Sequence, residues 1–357
     1  MEFLNKPSSE NVENVVFSFQ GAFGPPTFGH YISMKLFAEQ VLNDYPNAKN
    51  IKMLFMPTAV SSSKPHLKET QISRLEILKI FCDLLKEELS EEEKKRITFE
   101  ASEIEYDLYP IKKSTDTILT INKLKEDYQN STLCIGMGYD NMMQLPYWKG
   151  IEKYVDKVAK IYVGYRKLTD EEIGKTELFN IVNNGTNLRF EKIKPWGNDT
   201  EIQTKIEEKK KNGTNEQLTY SIKLPDIVIV GENNDKSEIP PTSSSMMRHF
   251  IYKYINENDK ESSMNKIKKI MFGNKNIENI DVIFNNMLEY YKKLHNDYIK
   301  IFNPKKNYET EFESYKSSID KEPSYGGRKP PKKRSYKKKR SNKKFRSLRK
   351  RRSYKRV

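Results

Sequence analysis

Six short apolar runs recur along the chain: "VVFSF" (15–19), "IKMLFM" (51–56), "ITFEA" (97–101), "TLCIGM" (132–137), "KIYVGY" (160–165) and "DIVIV" (226–230). Each has the length and the β-branched or aromatic content of a strand, and amphipathic stretches of helical length lie between them. Such alternation predicts βα units, hence an α/β fold with a mostly parallel sheet and helices on both faces. Between the first two runs, Tyr31 to Leu42 places Ile32, Leu36, Phe37 and Val41 near helical spacing. A helix is therefore expected to open immediately after the stretch "GAFGPPTFGH" (21–30).

Charge divides the chain further. The whole sequence of 357 residues holds 64 Lys plus Arg against 49 Asp plus Glu, but Arg328 to Val357 alone carries 18 of the basic residues and no acid. The body is thus slightly acidic, and the excess positive charge belongs to a tail. After Pro304 the composition shifts to Lys, Ser, Tyr, Pro and Gly, with "RSYK" at 334–337 and 352–355. That composition buries too little apolar surface to offset the entropy of ordering it. Residues 303–327 are expected to be a linker and 328–357 a disordered basic tail; Tyr336, Phe345 and Tyr354 among its cations suit nonspecific nucleic acid, and its clusters suit nuclear targeting equally well.

Residues 1–13 form an N-terminal extension and 14–302 the main domain, with a polar Asn- and Lys-rich insertion at about 167–223 read as loops with a hairpin. Helical periodicity returns at 246–255 and 279–302, and C-terminal helices are expected over about 262–302. Cys82 and Cys134 lie far apart in apolar contexts, which suits buried thiols in a reducing compartment and neither a disulfide framework nor a zinc site. No apolar run approaches the roughly 20 residues of a membrane span, and "MEFLNKPSSE" lacks the features of a secretory signal. An intracellular protein, cytoplasmic or nuclear and without a membrane partner, is the expectation.

Placed between the first strand and the first helix, "GAFGPPTFGH" reads as a phosphate-binding turn. Gly21 and Gly24 allow close backbone approach to a ligand, Pro25 and Pro26 stiffen the turn, and the helix N-terminus behind supplies unpaired N–H groups, with His30 in its first turn. A second element, "PPTSSSMMRHF" (240–250), follows the last strand. There Ser243, Ser244 and Ser245 suit a helix start facing an anion, with Arg248 one turn on.

The ordered string Gly21, Phe23, Pro25, Thr27, Gly29, His30 resembles the G-x-F-x-P-x-(H/T)-x-G-H motif of the nucleotidylyltransferase superfamily. Ser243, Ser244, Ser245 and Arg248 resemble its S-S-T-x-x-R element, with serine at the third place. Within the superfamily, Gly138, Asp140, Leu145, Pro146 and Trp148 resemble the G-x-D-x-x-x-x-(L/F)-P-x-W pattern of bacterial-type nicotinate mononucleotide adenylyltransferases, and the strand ending in Arg166 fits it too.

The resemblance implies a Rossmann-like doubly wound parallel sheet with C-terminal helices. It also implies transfer of the adenylyl group of ATP to nicotinate or nicotinamide mononucleotide, giving a dinucleotide and pyrophosphate. ATP would be held by Gly21, Ala22, Phe23, Thr27, Gly29, His30, Asp140, Ser243, Ser244, Ser245 and Arg248, with His30, Arg248 and Lys64 acting on the transferring phosphate. Lys64 or Lys68 of "KPHLKETQISRLEIL" (64–78) would reach a phosphate, and Arg74 a phosphate or a carboxylate. Trp148 would stack on the pyridine ring, and Thr117 and Thr120 of "STDTILTINKL" (114–124) resemble the T-x-x-T-L motif whose backbone meets that ring. Magnesium (Mg2+) would be bound mainly through the ATP phosphates, with no dedicated metal cluster on the protein. Two other readings share parts of these motifs: transfer to phosphopantetheine or a phospho-alcohol, and an inactive nucleic-acid-binding protein that keeps the fold.

Overall fold

The computed structural model describes residues 11–61, 64, 66–108, 116–145, 151–165, 180–184, 187–192, 220–223, 225–233, 236–237, 239–256, 260–275, 277, 280–297 and 307–320. All lie within one compact unit, Met1–Asp320. In chain order the elements are β1 (Asn14–Gly21), α1 (Phe28–Asp44), β2 (Asn50–Pro57), α2 (His66–Glu69), α3 (Gln71–Glu88), α4 (Glu91–Lys94), β3 (Ile97–Ala101) and α5 (Ile104–Leu108). They continue as α6 (Thr117–Asp127), β4 (Thr132–Gly138), α7 (Tyr139–Gln144), α8 (Ile151–Val155), β5 (Lys160–Gly164), β6 (Asn180–Asn184), β7 (Asn187–Lys192), β8 (Tyr220–Lys223) and β9 (Asp226–Val230). Two short strands, β10 (Glu232–Asn233) and β11 (Lys236–Ser237), precede α9 (Ser244–Asn256), α10 (Lys260–Phe272), α11 (Ile280–Asp297) and α12 (Glu309–Asp320).

The six apolar runs are the six strands of one sheet, ordered β3-β2-β1-β4-β5-β9. Every pairing is parallel, as in Val15↔Ile51 and Val15↔Thr132. This is the Rossmann-like α/β architecture. Because neighbouring residues of a strand point to opposite faces, Phe17 and Phe19 enter one core with Phe37 of α1, Phe81 of α3 and Phe250 of α9. Val16, Leu54 and Ile135 enter the other with Ile121 and Leu124 of α6. The chain winds outward from β1 to β3 and then returns to lay β4 on the other side of β1. A crevice therefore opens at the carboxyl ends of β1 and β4, the place where such sheets bind ligands.

Two expectations change. The insertion was read as loops with a hairpin; its described parts form a three-stranded antiparallel sheet, β6-β7-β8. The stretch 303–327 was read as a linker, yet Glu309–Asp320 is a helix. Tyr308, Phe312 and Tyr315 of this segment recur at helical spacing and are buried. Each such aromatic contributes roughly 2–3 kcal/mol on burial, enough to order a segment whose average composition is polar. Glu309 adds ion pairs to Lys253 (2.9 Å) and Lys266 (2.6 Å), and the Tyr315 hydroxyl donates to the Lys269 carbonyl at 2.8 Å. Among the described residues no helix is long and apolar enough to cross a membrane. The tail 328–357 and most of the N-terminal extension lie outside the described residues.

Candidate active site

At the end of β1 the chain turns sharply through Phe23, whose φ of 43° is in the left-handed region that bulky residues avoid. Packing holds it there. Its ring meets Phe19 edge-on at 5.3 Å and His30 at 4.9 Å between centroids. This gives Gly21 and Gly24 a reason other than ligand approach. A Cβ on Gly21 would lie 3.0 Å from the Phe23 ring, and one on Gly24 would lie 2.8 Å from Leu67 Cδ2 and 3.2 Å from His66 Nε2. The space a side chain would need is filled by the protein itself.

The loop delivers the chain to the N-terminus of α1, with Thr27 as an extended N-cap and His30 three residues on. The Thr27 backbone N–H donates to His30 Nδ1 at 2.9 Å, and the Thr27 hydroxyl lies 3.0 Å from the same nitrogen. Nδ1 must therefore be the bare nitrogen, and the ring proton sits on Nε2. Burial, with the charge of Lys64 adding to it, pushes the imidazole down to about 4. His30 is thus a neutral ring with a donor at Nε2. Thr27 itself is fully buried, so it shapes the turn and does not face the crevice.

The serine element docks on this loop. Ser243 caps α9 by accepting the Met246 N–H at 3.1 Å. Ser244 donates to the Pro25 carbonyl at 2.7 Å. Arg248 donates to the Gly24 carbonyl and, at 3.0 Å, to the Ser245 hydroxyl. Burial holds the Arg248 guanidinium below its usual range. All four residues expected to hold phosphate thus also bond to the first loop or within their own helix, and the N-terminus of α9 is brought beside that of α1.

Lys64 belongs to the same cluster. Its side chain is exposed, but surrounding protein and the Arg248 charge lower its pKa, while Asp140 opposes them. Of the two loop lysines, Lys64 is therefore the one placed with His30, Arg248 and Asp140. Asp140 stands in the first turn of α7, just past β4. His66 was missed by the sequence reading. It is buried with both ring nitrogens unpaired, and burial followed by the charges of Arg248, Arg74 and Lys64 pushes it down to about 3. The only signal in the sequence is its place two residues after Lys64.

Arg74 is corrected most clearly. It does not face a ligand phosphate: it is fully buried and donates to three backbone carbonyls, Ala22 at 2.7 Å, Thr58 at 2.9 Å and Leu67 at 2.6 Å. One planar fork of donors thus ties the turn after β1 to the chain following β2 and to α2. Nearby, Glu105 accepts from the Thr120 hydroxyl at 2.9 Å and from the Ala59 N–H at 3.1 Å. Burial pushes its carboxyl up to about 7 against these bonds and the Arg74 charge. The Thr120 hydroxyl is committed inward, and Thr117 begins α6. Pro146, Trp148 and Arg166 lie outside the described residues.

Two juxtaposed helix N-termini, a neutral imidazole donor, an ammonium and a guanidinium are groups of the kind that attract phosphate oxygens. No family model matches the chain. Two curated proteins, both named probable nicotinate-nucleotide adenylyltransferase and from Leptospira borgpetersenii serovar Hardjo-bovis strains JB197 and L550, are 28% identical to it over 162 residues. The match covers 45% of this chain and 72% of theirs. Among solved structures, Plasmodium falciparum nicotinic acid mononucleotide adenylyltransferase complexed with NaAD covers 79% of this chain and 97% of its own, at 18% identity and a TM-score of 0.41. The same enzyme complexed with APC gives 17% identity, 79% and 96% coverage, and a TM-score of 0.39.

Proposed function

We propose that this chain, similar in sequence to nicotinate-nucleotide adenylyltransferases, transfers the adenylyl group of ATP to nicotinate mononucleotide or its amide. The observation that carries the reading is the Nε2–H of a neutral His30, held beside Lys64 and Arg248 at the crevice between β1 and β4. The acceptor's 5′-phosphate oxygen attacks the α-phosphorus of ATP in line. A bond forms between them as the bond to the bridging oxygen breaks, and pyrophosphate leaves. The nucleophile is already an anion, so no proton need be removed. That suits a residue set of donors and cations with no base and nucleophile pair.

In this scheme His30 donates to an oxygen of the transferring phosphate, and Lys64 and Arg248 neutralise charge passing to the departing pyrophosphate. The positive ends of the α1 and α9 dipoles complete the cradle. Asp140 accepts from a ribose hydroxyl, Trp148 stacks on the pyridine, and the backbone opening α6 at Thr117 meets the ring edge. Arg74 and Glu105 act from behind, holding these segments in register. Around the phosphates the residues offer donors, with Asp140 as a carboxylate beside Lys64. That set fits magnesium held chiefly by the nucleotide, where it supplies charge neutralisation. The catalytic body on this reading runs from residue 14 through α12.

The test is a set of reactions of the purified full chain with ATP, magnesium and one acceptor: nicotinate mononucleotide, nicotinamide mononucleotide, or phosphopantetheine. Dinucleotide and pyrophosphate in equal amounts from a pyridine mononucleotide support the reading. Turnover with phosphopantetheine alone, or tight ATP binding without turnover for any acceptor, refutes it.

A further inference from the structure

Behind His30 runs a buried hydrogen-bond chain whose direction is dictated by two backbone N–H groups. The Gly29 N–H donates to the Thr242 hydroxyl at 2.8 Å. With that lone pair used, the Thr242 hydroxyl hydrogen goes to the next acceptor, the Thr27 hydroxyl at 3.2 Å. Thr27 in turn passes its hydrogen to His30 Nδ1 at 3.0 Å, the nitrogen already shown to be bare by the Thr27 N–H. Each hydroxyl both accepts and donates along the row, so the row has one polarity. It ends on the ring whose other nitrogen, Nε2, carries the proton. Thr27 and Thr242 are both buried, so water does not compete for these bonds. The approach is close: a Cβ on Gly29 would lie 2.8 Å from Thr242 Oγ1 and 3.1 Å from the Pro240 carbonyl.

We infer that Thr242 is a positioning residue for His30, acting through Thr27 across 215 residues of sequence. Its hydroxyl keeps the Thr27 hydrogen aimed at Nδ1, fixes the imidazole with Nε2–H outward, and locks the start of α1 to the segment leading into α9. The two halves of the site are then set relative to each other before any ligand arrives. The inference rests on the reading of His30 as a donor to phosphate, but its structural part stands apart from that reading.

The experiment compares Thr242→Val, which keeps the shape and removes the hydroxyl, with Thr242→Ser, which restores it, in the full chain. Thr242→Val is expected to lower kcat by about 10-fold, with KM for ATP and mononucleotide within about 2-fold, and Thr242→Ser to recover most of the loss. Thr27→Val should also lower kcat, and the double valine variant should be no slower than the worse single one, because a chain broken once is not broken further. The second readout is the imidazole ¹⁵N spectrum of His30, which needs no turnover. Wild type should show a bare Nδ1 and a protonated Nε2, and Thr242→Val should shift or broaden the Nδ1 signal. Should the valine protein not fold, Thr242→Ala carries the same expectations. Wild-type kcat in Thr242→Val, multiplying losses in the double variant, or an unchanged His30 spectrum overturns the inference. An unreactive wild type with the expected spectral change would overturn the proposed activity and leave the chain of hydroxyls standing.

Discussion

Replacing His30 by asparagine separates the two things its ring does. An asparagine Oδ1 falls close to where Nδ1 stands, so it can still accept the Thr27 N–H that the imidazole accepts at 2.9 Å. Nothing then occupies the Nε2 position. The capping bond survives, and stability should change by less than about 1 kcal/mol, the usual worth of such a cap. Loss of one preorganised donor to a transferring phosphate should lower kcat by about 10²- to 10³-fold, or about 2.7–4 kcal/mol of barrier. KM for ATP should move far less. His30→Ala removes the cap as well and leaves a gap against the Phe23 ring, so it should show the same kinetic loss with an additional fall in melting temperature. His30→Gln, whose amide nitrogen reaches toward Nε2, should recover part of the rate. Continuous detection of pyrophosphate gives kcat and KM, and thermal unfolding gives the stability arm. A folded His30→Asn protein with kcat within about 5-fold of wild type would refute the assignment, as would a loss confined to KM.

The remaining perturbations address the framework. Arg74→Met strips three backbone carbonyls of their donor, and should cost about 3–5 kcal/mol, read as a large fall in the urea midpoint. Glu105, pushed up to about 7, binds its proton more tightly folded than unfolded, so it subtracts stability as pH rises from about 4.5 to 7. Glu105→Gln should therefore gain relative to wild type as denaturation is moved from pH 5 to pH 8. The opposite sign holds for His30, lowered to about 4. Unfolded chains bind its proton first, so its contribution is full above about pH 6.5 and is lost as pH falls toward 4; an NMR titration of His30 with a midpoint near 6.5 would contradict this. Phe312→Ala should destabilise by about 3–5 kcal/mol while leaving KM for both substrates unchanged, as checked by melting and steady-state kinetics.

Much of the architecture was visible because it is written locally. A run such as "TLCIGM" carries its strand character within six residues, and the helix after "GAFGPPTFGH" announces itself through Ile32, Leu36, Phe37 and Val41. That both loops lead into helix starts behind strands of one sheet was legible too, and the structure docks the second on the first through Ser244 and Arg248. Arg74 was misread because its partners, Ala22 and Thr58, are distant in sequence and are backbone atoms, which have no letter in the sequence. The packing role of Gly21 was hidden for a related reason: its neighbour is Phe23, and a phenylalanine with positive φ leaves no trace in composition. His66 owes its interest to isolation from hydrogen-bond partners, a property that exists only once the chain has folded. The helix α12 escaped notice because its buried aromatics are diluted among Lys, Glu and Ser.

The central place of β1 has a bearing on how the chain is made. This strand is synthesised early and is rich in phenylalanine, and one of its two neighbours, β2, follows soon after. The other, β4, ends at Gly138. At about 5–20 residues per second, about 6–23 s pass after β1 is polymerised before that edge can be covered. During that interval a nascent β1–β2 pair offers the open side of β1 to other chains. The sheet's mid-point is thus its most exposed edge during translation, so slowed elongation between residues 60 and 130 should raise aggregation more than an equal delay after β4.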